Sequence, residues 1–177
     1  MAISSGLGGY TPPGLVLVKS QTIGSSVSSI TVNNCFSSNY DNYRIAFSNT
    51  AYSAQNEAAL FKLTSSGTAT TSGWYGNTFY VAIGGSGGLT NATFNNTAYG
   101  ECASINSYLS SKNSAVWDIQ APYLAENTRL QYHSGDAGYM RFGQFLHLSQ
   151  TSYDGFQLLG NTGSFTGGTI RVYGYRN

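Results

Sequence analysis

Tyr132-His133-Ser134-Gly135-Asp136 places a histidine, a serine and an aspartate within five residues. These are the residue types of nucleophilic acyl transfer, in which an imidazole takes the hydroxyl proton and a carboxylate orients the imidazole. A working triad gathers its members in space from separate segments, and adjacency in sequence does not supply that geometry. Alternation along a strand instead sends His133 outward with Arg129 and Gln131, as an exposed or interface residue. His147 reads the same way, outward beside Arg141.

Paired carboxylates could cleave a glycosidic bond if held about 5–9 Å apart. Glu57, Glu101, Glu126, Asp118 and Asp136 fall on different segments with no shared signature. Two distant cysteines, Cys35 and Cys102, and two distant histidines do not make a zinc set. Gly84–Gly88 is followed by neither Lys-Ser/Thr nor a helix, so it is not a phosphate loop. Asn91-Ala92-Thr93 and Asn95-Asn96-Thr97 match the glycosylation sequon and read as chance matches, because Met1–Gly9 has no basic region or apolar run of a leader. No catalytic, cofactor or metal site is expected.

The aromatic residues carry more. In Trp74–Ile83, Tyr75, Phe79, Val81 and Ile83 read as core, which turns Trp74 and Tyr80 outward. With Tyr173 and Tyr175 they would form an outward aromatic surface. Tyr and Trp give large contact area at low entropy cost, and they also stack on sugar rings. A subunit interface, a second layer of the chain's own core and a glycan site all remain open for this surface. The candidate interface set is Tyr10, Pro12, Pro13, Leu15, Trp74, Tyr80, Tyr173 and Tyr175.

The polar surface around them is unusual. Charged residues make up 8% of the 177, against about 25% in ordinary soluble domains. Ser, Thr, Asn, Gly and Tyr must therefore cover the outside. Such a surface is cheap to desolvate and suits a chain covered by neighbours or touching neutral ligands such as sugars. Net charge is +1 with no Lys or Arg run, which argues against nucleic acid, whose phosphates need clustered cations. No stretch approaches the ~20 apolar residues of a membrane span. At 14% aromatic residues the chain is globular, and its length makes one domain. Cys35 and Cys102 read as half-buried free thiols of a cytoplasmically made protein, although a disulfide between them stays open in principle.

What positions these residues is a succession of strands. Met1–Gly14 is rich in Gly and Ser and ends at Pro12-Pro13, so it reads as an extended arm held by a neighbouring subunit or along its own domain. Residues 15–177 show alternation and turns without helical periodicity. Tyr43, Ile45 and Phe47 share a face, as do Trp117 and Ile119, and Ile170 and Val172. Met140, Phe142, Leu146 and Leu148 are read as another inward set. Further strands are expected at Leu15–Ile23, Val27–Asn33, Glu57–Thr64, Trp74–Ile83, Gly100–Leu109, Thr128–Ser134 and Phe156–Leu159. Gly84–Ala98 and Ser149–Gly168 read as long loops, and Asp41 and Asp154 as Asx-turn residues at strand entries. About ten strands predict an all-β, jelly-roll-like antiparallel sandwich with an N-terminal arm.

The ending Gly167-Gly168-Thr169-Ile170-Arg171-Val172-Tyr173-Gly174-Tyr175-Arg176-Asn177 resembles that of small virion structural proteins of tailed bacteriophages, including cyanophages and other marine phages. Leu15–Ile23 and Phe36–Ile45 are similar to them as well, whereas about Ser53–Tyr153 is unmatched. The resemblance implies a β-sandwich in a virion, as a head decoration (cement) protein or a tail or fibre component. On that basis the expected partners are the major capsid protein and further copies of the chain, as a homotrimer, with a tail module recognising host surface polysaccharide as the alternative. It supplies no binding residue.

Overall fold

The computed structural model describes residues 14–55, 57–84, 88–105 and 112–176. Tyr10, Pro12 and Pro13 of the expected arm lie outside them. Among the described residues there is no helix.

Among the described residues fourteen strands form two antiparallel sheets. The large sheet contains β1 (Leu15–Thr22), β3 (Asn42–Tyr52), β6 (Trp74–Ala82), β7 (Thr90–Thr97), β9 (Asn113–Gln120), β10 (Thr128–Gly135), β11 (Tyr139–His147) and β14 (Thr169–Tyr175). Their order is β1-β14-β3-β9-β10-β11-β6-β7, and the short β13 (Phe165–Thr166) pairs with β3. The small sheet is β2 (Ser29–Val32), β12 (Gly155–Gly160), β4 (Glu57–Ser65) and β5 (Thr68–Ala69), with β8 (Gly100–Ile105) also on β4. β8 packs against β9, β10 and β11 of the large sheet, closing a sandwich. The expected all-β antiparallel sandwich is the observed fold.

The core is aromatic. Trp117 of β9 stacks on Phe47 of β3, with centroids 5.9 Å apart, and meets Phe61 and Phe156 of the small sheet at 6.0 and 6.2 Å. Phe61 and Phe156 stack on each other at 5.1 Å. Offset and edge-on arrangements of this kind add to area burial. The inward assignments for β3, β9 and β14 hold: Tyr43, Ile45, Phe47, Trp117, Ile119, Ile170 and Val172 are all buried.

Two assignments are reversed. On β6 it is Trp74 and Thr78 that are buried, while Tyr75, Phe79 and Val81 share the outer face and Ile83 beyond them is exposed. On β11, Phe145 and His147 are buried, while Met140 and Phe142, and Leu148 just past the strand, are exposed. Alternation fixes which residues share a face but not which face is covered. Here the outer face is the more apolar, so hydrophobicity gave the wrong sign.

Gly143 shows how tightly the inner face is fitted. Tyr132, Gly143 and Thr78 form one transverse row of β10, β11 and β6. The Tyr132 ring crosses Gly143 to place its hydroxyl 3.0 Å from Thr78 Oγ1, and a Cβ on Gly143 would sit 2.6 Å from that ring.

Boundaries differ too. Gly84–Ala98 contains β7, an exposed edge strand. Ser149–Gly168 carries β13 besides β12. Val27 makes only an isolated bridge to Phe165 ahead of β2.

Candidate functional site

The outer face of the large sheet is ordered in rows. Arg44 lies opposite Asp118, Asp118 opposite Gln131, Gln131 opposite Gln144, Gln144 opposite Asn77, and Asn77 opposite Thr93. Side-chain hydrogen bonds tie this row together. Arg44 donates to both oxygens of Asp118 at 2.9 and 2.7 Å, Gln131 Nε2 to Gln144 Oε1 at 3.3 Å, and Thr93 Oγ1 to Asn77 Oδ1 at 2.8 Å. Tyr175 also donates to Asp118, at 2.5 Å. Burial alone would raise the Asp118 pKa, but the bonds from Arg44 and Tyr175 outweigh it and hold the carboxyl below its ordinary value.

Beside this polar row runs an apolar one. Ala46 faces Val116, Val116 faces His133, His133 faces Phe142, and Phe142 stacks on Phe79 at 5.5 Å. Met140 follows, opposite Gly135. Small residues beside large ones leave a groove of about 510 Å³ between β3, β9, β10 and β11. Met140 is 52% exposed and Phe142 42%. Arg141 borders the groove, but its side chain lies on the opposite face, against Glu101 and Tyr80. The side chains that face into the groove therefore include no Lys, Arg, Asp or Glu.

The sequence-predicted interface residues divide. Leu15, Tyr173 and Tyr175 share the outer face at its β1 side, with Leu15 opposite Tyr175 and Leu17 opposite Tyr173. Trp74 does not join them: it is fully buried, edge-on to Phe61 at 5.9 Å and close to His147 at 5.0 Å. Tyr80 faces the inner side near the far end of the sheet, so no single aromatic surface unites the four. His133 is exposed as expected. His147 is not outward but buried, because β11 is reversed.

Tyr80 belongs to a polar cleft that sequence reasoning missed. A space of about 270 Å³ opens between β4 and β8 on one side and β6 and β11 on the other. Glu57, Glu101, Arg141, Tyr80, Tyr99 and Asn161 are among its walls. Arg141 lies over the Tyr80 ring, 5.0 Å from its centroid, and reaches Glu101 at 3.3 Å through one nitrogen. Their side chains are only 11% and 14% exposed, and the Arg141 Nε is buried without a partner. Thr162 donates to Glu57 at 2.7 Å. Glu57 and Glu101, unconnected in sequence, thus share one cavity because β4 pairs with β8.

The compact His-Ser-Asp run has a structural use. Asp136 accepts from the amides of Gly138 and Tyr139 at 2.6 and 2.8 Å, which makes the β10–β11 turn, and from the Ser104 hydroxyl at 2.6 Å. Ser134 accepts from the Ser104 amide, while His133 points to the other face. Asp154 binds the Ser66 amide across to the β4–β5 turn rather than making a turn of its own. Cys35 and Cys102 are buried free thiols, each kept protonated by burial. Among the described residues no three His, Cys, Asp or Glu side chains group as a metal site would require.

His147 sits between the Ser72 carbonyl, 3.0 Å from Nε2, and the Tyr153 hydroxyl, 3.4 Å from Nδ1. A neutral ring satisfies both, donating from Nε2 and accepting at Nδ1. Burial pushes its pKa below the ordinary 6.5, despite the opposing bond to Ser72. The unfolded chain then takes up a proton that the folded one resists. Its stabilising contribution is complete above about 6.5 and falls as pH drops from there towards the folded value. Melting curves from pH 7 to 5.5 should show this decline, and His147→Gln should flatten it; an equal slope in the variant would remove His147 as its source.

Compared with protein-family models, curated proteins and solved structures, the chain matches none.

Proposed function

We propose that this chain is a structural subunit of a tailed-phage virion, most consistent with a head decoration protein that bridges major capsid subunits as a homotrimer. The role is mechanical and uses no catalytic group or cofactor. The observation that carries it is the uncharged apolar groove on the outer face, in a chain with 8% charged residues. Apolar grooves rimmed by polar residues are found at protein–protein contacts. A second copy is the favoured occupant of the groove: neutral faces meet without like-charge repulsion, and the nearby Arg44–Asp118 pair is closed on itself.

The winding supports the same reading. We read β1-β14-β3-β9 and β2-β12-β4-β8 as the two layers of a jelly roll, an architecture used by viral capsid and lectin domains. β5–β7 and β10–β11 are then insertions, and four of those five strands widen the large sheet into the face that carries the groove. The resemblance of both chain ends to virion proteins adds the setting.

Quantitative mass spectrometry of purified particles against the major capsid protein tests this. Copy numbers comparable with the capsid lattice are expected. Far fewer copies would move the chain to the tail or a vertex, and absence from particles would overturn the reading. A second reading, a tail or fibre module recognising host polysaccharide, is favoured by the polar cleft.

A further inference from the structure

We propose that the cleft between Arg141, Glu101, Glu57, Tyr80 and Tyr99 is a binding site for one ring of a neutral saccharide. This deepens the second reading above and rests on it.

The two ion pairs among the described residues differ in a telling way. Arg44–Asp118 is bidentate, at 2.7 and 2.9 Å, and largely complete. Arg141–Glu101 is more buried, yet it makes a single 3.3 Å contact and leaves a buried Nε unpaired. Buried donors without partners are costly and call for an explanation. Arg141 lines a cavity that also presents carboxylate oxygens and two phenols.

The lining selects among ligands. Two carboxylates against one guanidinium leave an excess of negative charge, which opposes an anion. A cation would meet the Arg141 guanidinium, which lines the same cavity and already neutralises Glu101. A polyol offers donors to the carboxylates and acceptors to the guanidinium at once. Tyr99 supplies apolar ring surface for the sugar carbons, since Arg141 covers one face of Tyr80. A volume of about 270 Å³ is just under the ~300 Å³ at which pockets for drug-sized molecules begin, which fits one sugar ring rather than a chain.

The test is amide correlation NMR of the full chain, titrated with the methyl glycosides of glucose, galactose and mannose. At least one should shift the amides of Tyr80, Tyr99, Glu101 and Arg141 and saturate. Glu57→Gln, a change at the cleft rim, should weaken that binding about tenfold, the loss of one charge-assisted hydrogen bond. Arg141→Met should do the same if thermal melting shows it folded. Shifts confined elsewhere, no shifts with any glycoside, or stronger shifts with galacturonate or choline would overturn the proposal. A polysaccharide array separates the two levels. Array binding that ignores Glu57→Gln and Tyr99→Ala would leave polysaccharide recognition standing and remove this cleft as its site. No array binding and no glycoside shifts would remove both.

Discussion

Trp117→Ala should cost the fold about 3–5 kcal/mol, the range for deleting a large buried aromatic side chain. Its ring is fully buried where the two sheets meet, against Phe47, Phe61 and Phe156. Its Nε1 donates to the Cys102 carbonyl of the small sheet. Truncation therefore leaves a cavity between the layers and a buried acceptor without its donor, and both penalties act together. For a domain of this size each kcal/mol moves the melting temperature by about 2–4 °C, so a fall of roughly 10 °C is expected. Urea titration at fixed pH gives the free energy directly. A loss within the ~0.5 kcal/mol of an ordinary surface change would mean that the sheets do not close over this residue.

Phe142→Glu should have the largest effect on assembly and little on folding. The side chain is 42% exposed on the outer face, so a carboxylate there is solvated in the isolated chain. In an assembly that covers the groove the same carboxylate must be desolvated among Ala46, Val116 and Met140. A central hot spot carries about 2 kcal/mol or more, so self-association should weaken at least about 30-fold. Size-exclusion chromatography with light scattering across a dilution series reads this. An unchanged dissociation constant would show that the groove is not the contact.

How much of this was legible in the sequence depends on what covers each strand. Asn42–Ser48, Ala115–Ala121 and Thr169–Tyr175 alternate cleanly because one face is buried and the other carries Arg44, Asp118 and Arg171. Their orientation could be read without partners. β6 and β11 alternate as well, but their outer face bears Phe79, Val81, Met140 and Phe142, whereas the inner one includes Thr78 and Arg141. An apolar face that another molecule would cover reads as core from sequence alone, so the reversal and the groove have one cause. β7 reads as loop in the sequence because Thr-Asn-Ala-Thr-Phe-Asn-Asn-Thr is polar, which an edge strand tolerates.

The cleft left no sequence signal. Arg141 and Glu101 are 40 residues apart, and Glu57 joins them through strand pairing that periodicity does not specify. Residue type and alternation single out Tyr80, which does line a polar site, but they group it with Trp74, which the core absorbs. Leu15, Tyr173 and Tyr175 lie on the expected outer face because β1 and β14 are in register there.

Coverage of the outer face of the large sheet by another copy of the chain is the contact on which the proposed function rests. Oxidative footprinting of Met140, in the wild type and in Phe142→Glu, tests it most directly. Met140 is 52% exposed in the single chain and should be readily oxidised whenever the groove is open. Met140 should be protected in the wild type at assembling concentrations and become reactive on dilution and in Phe142→Glu. Equal and rapid oxidation of Met140 in both proteins at every concentration would contradict it.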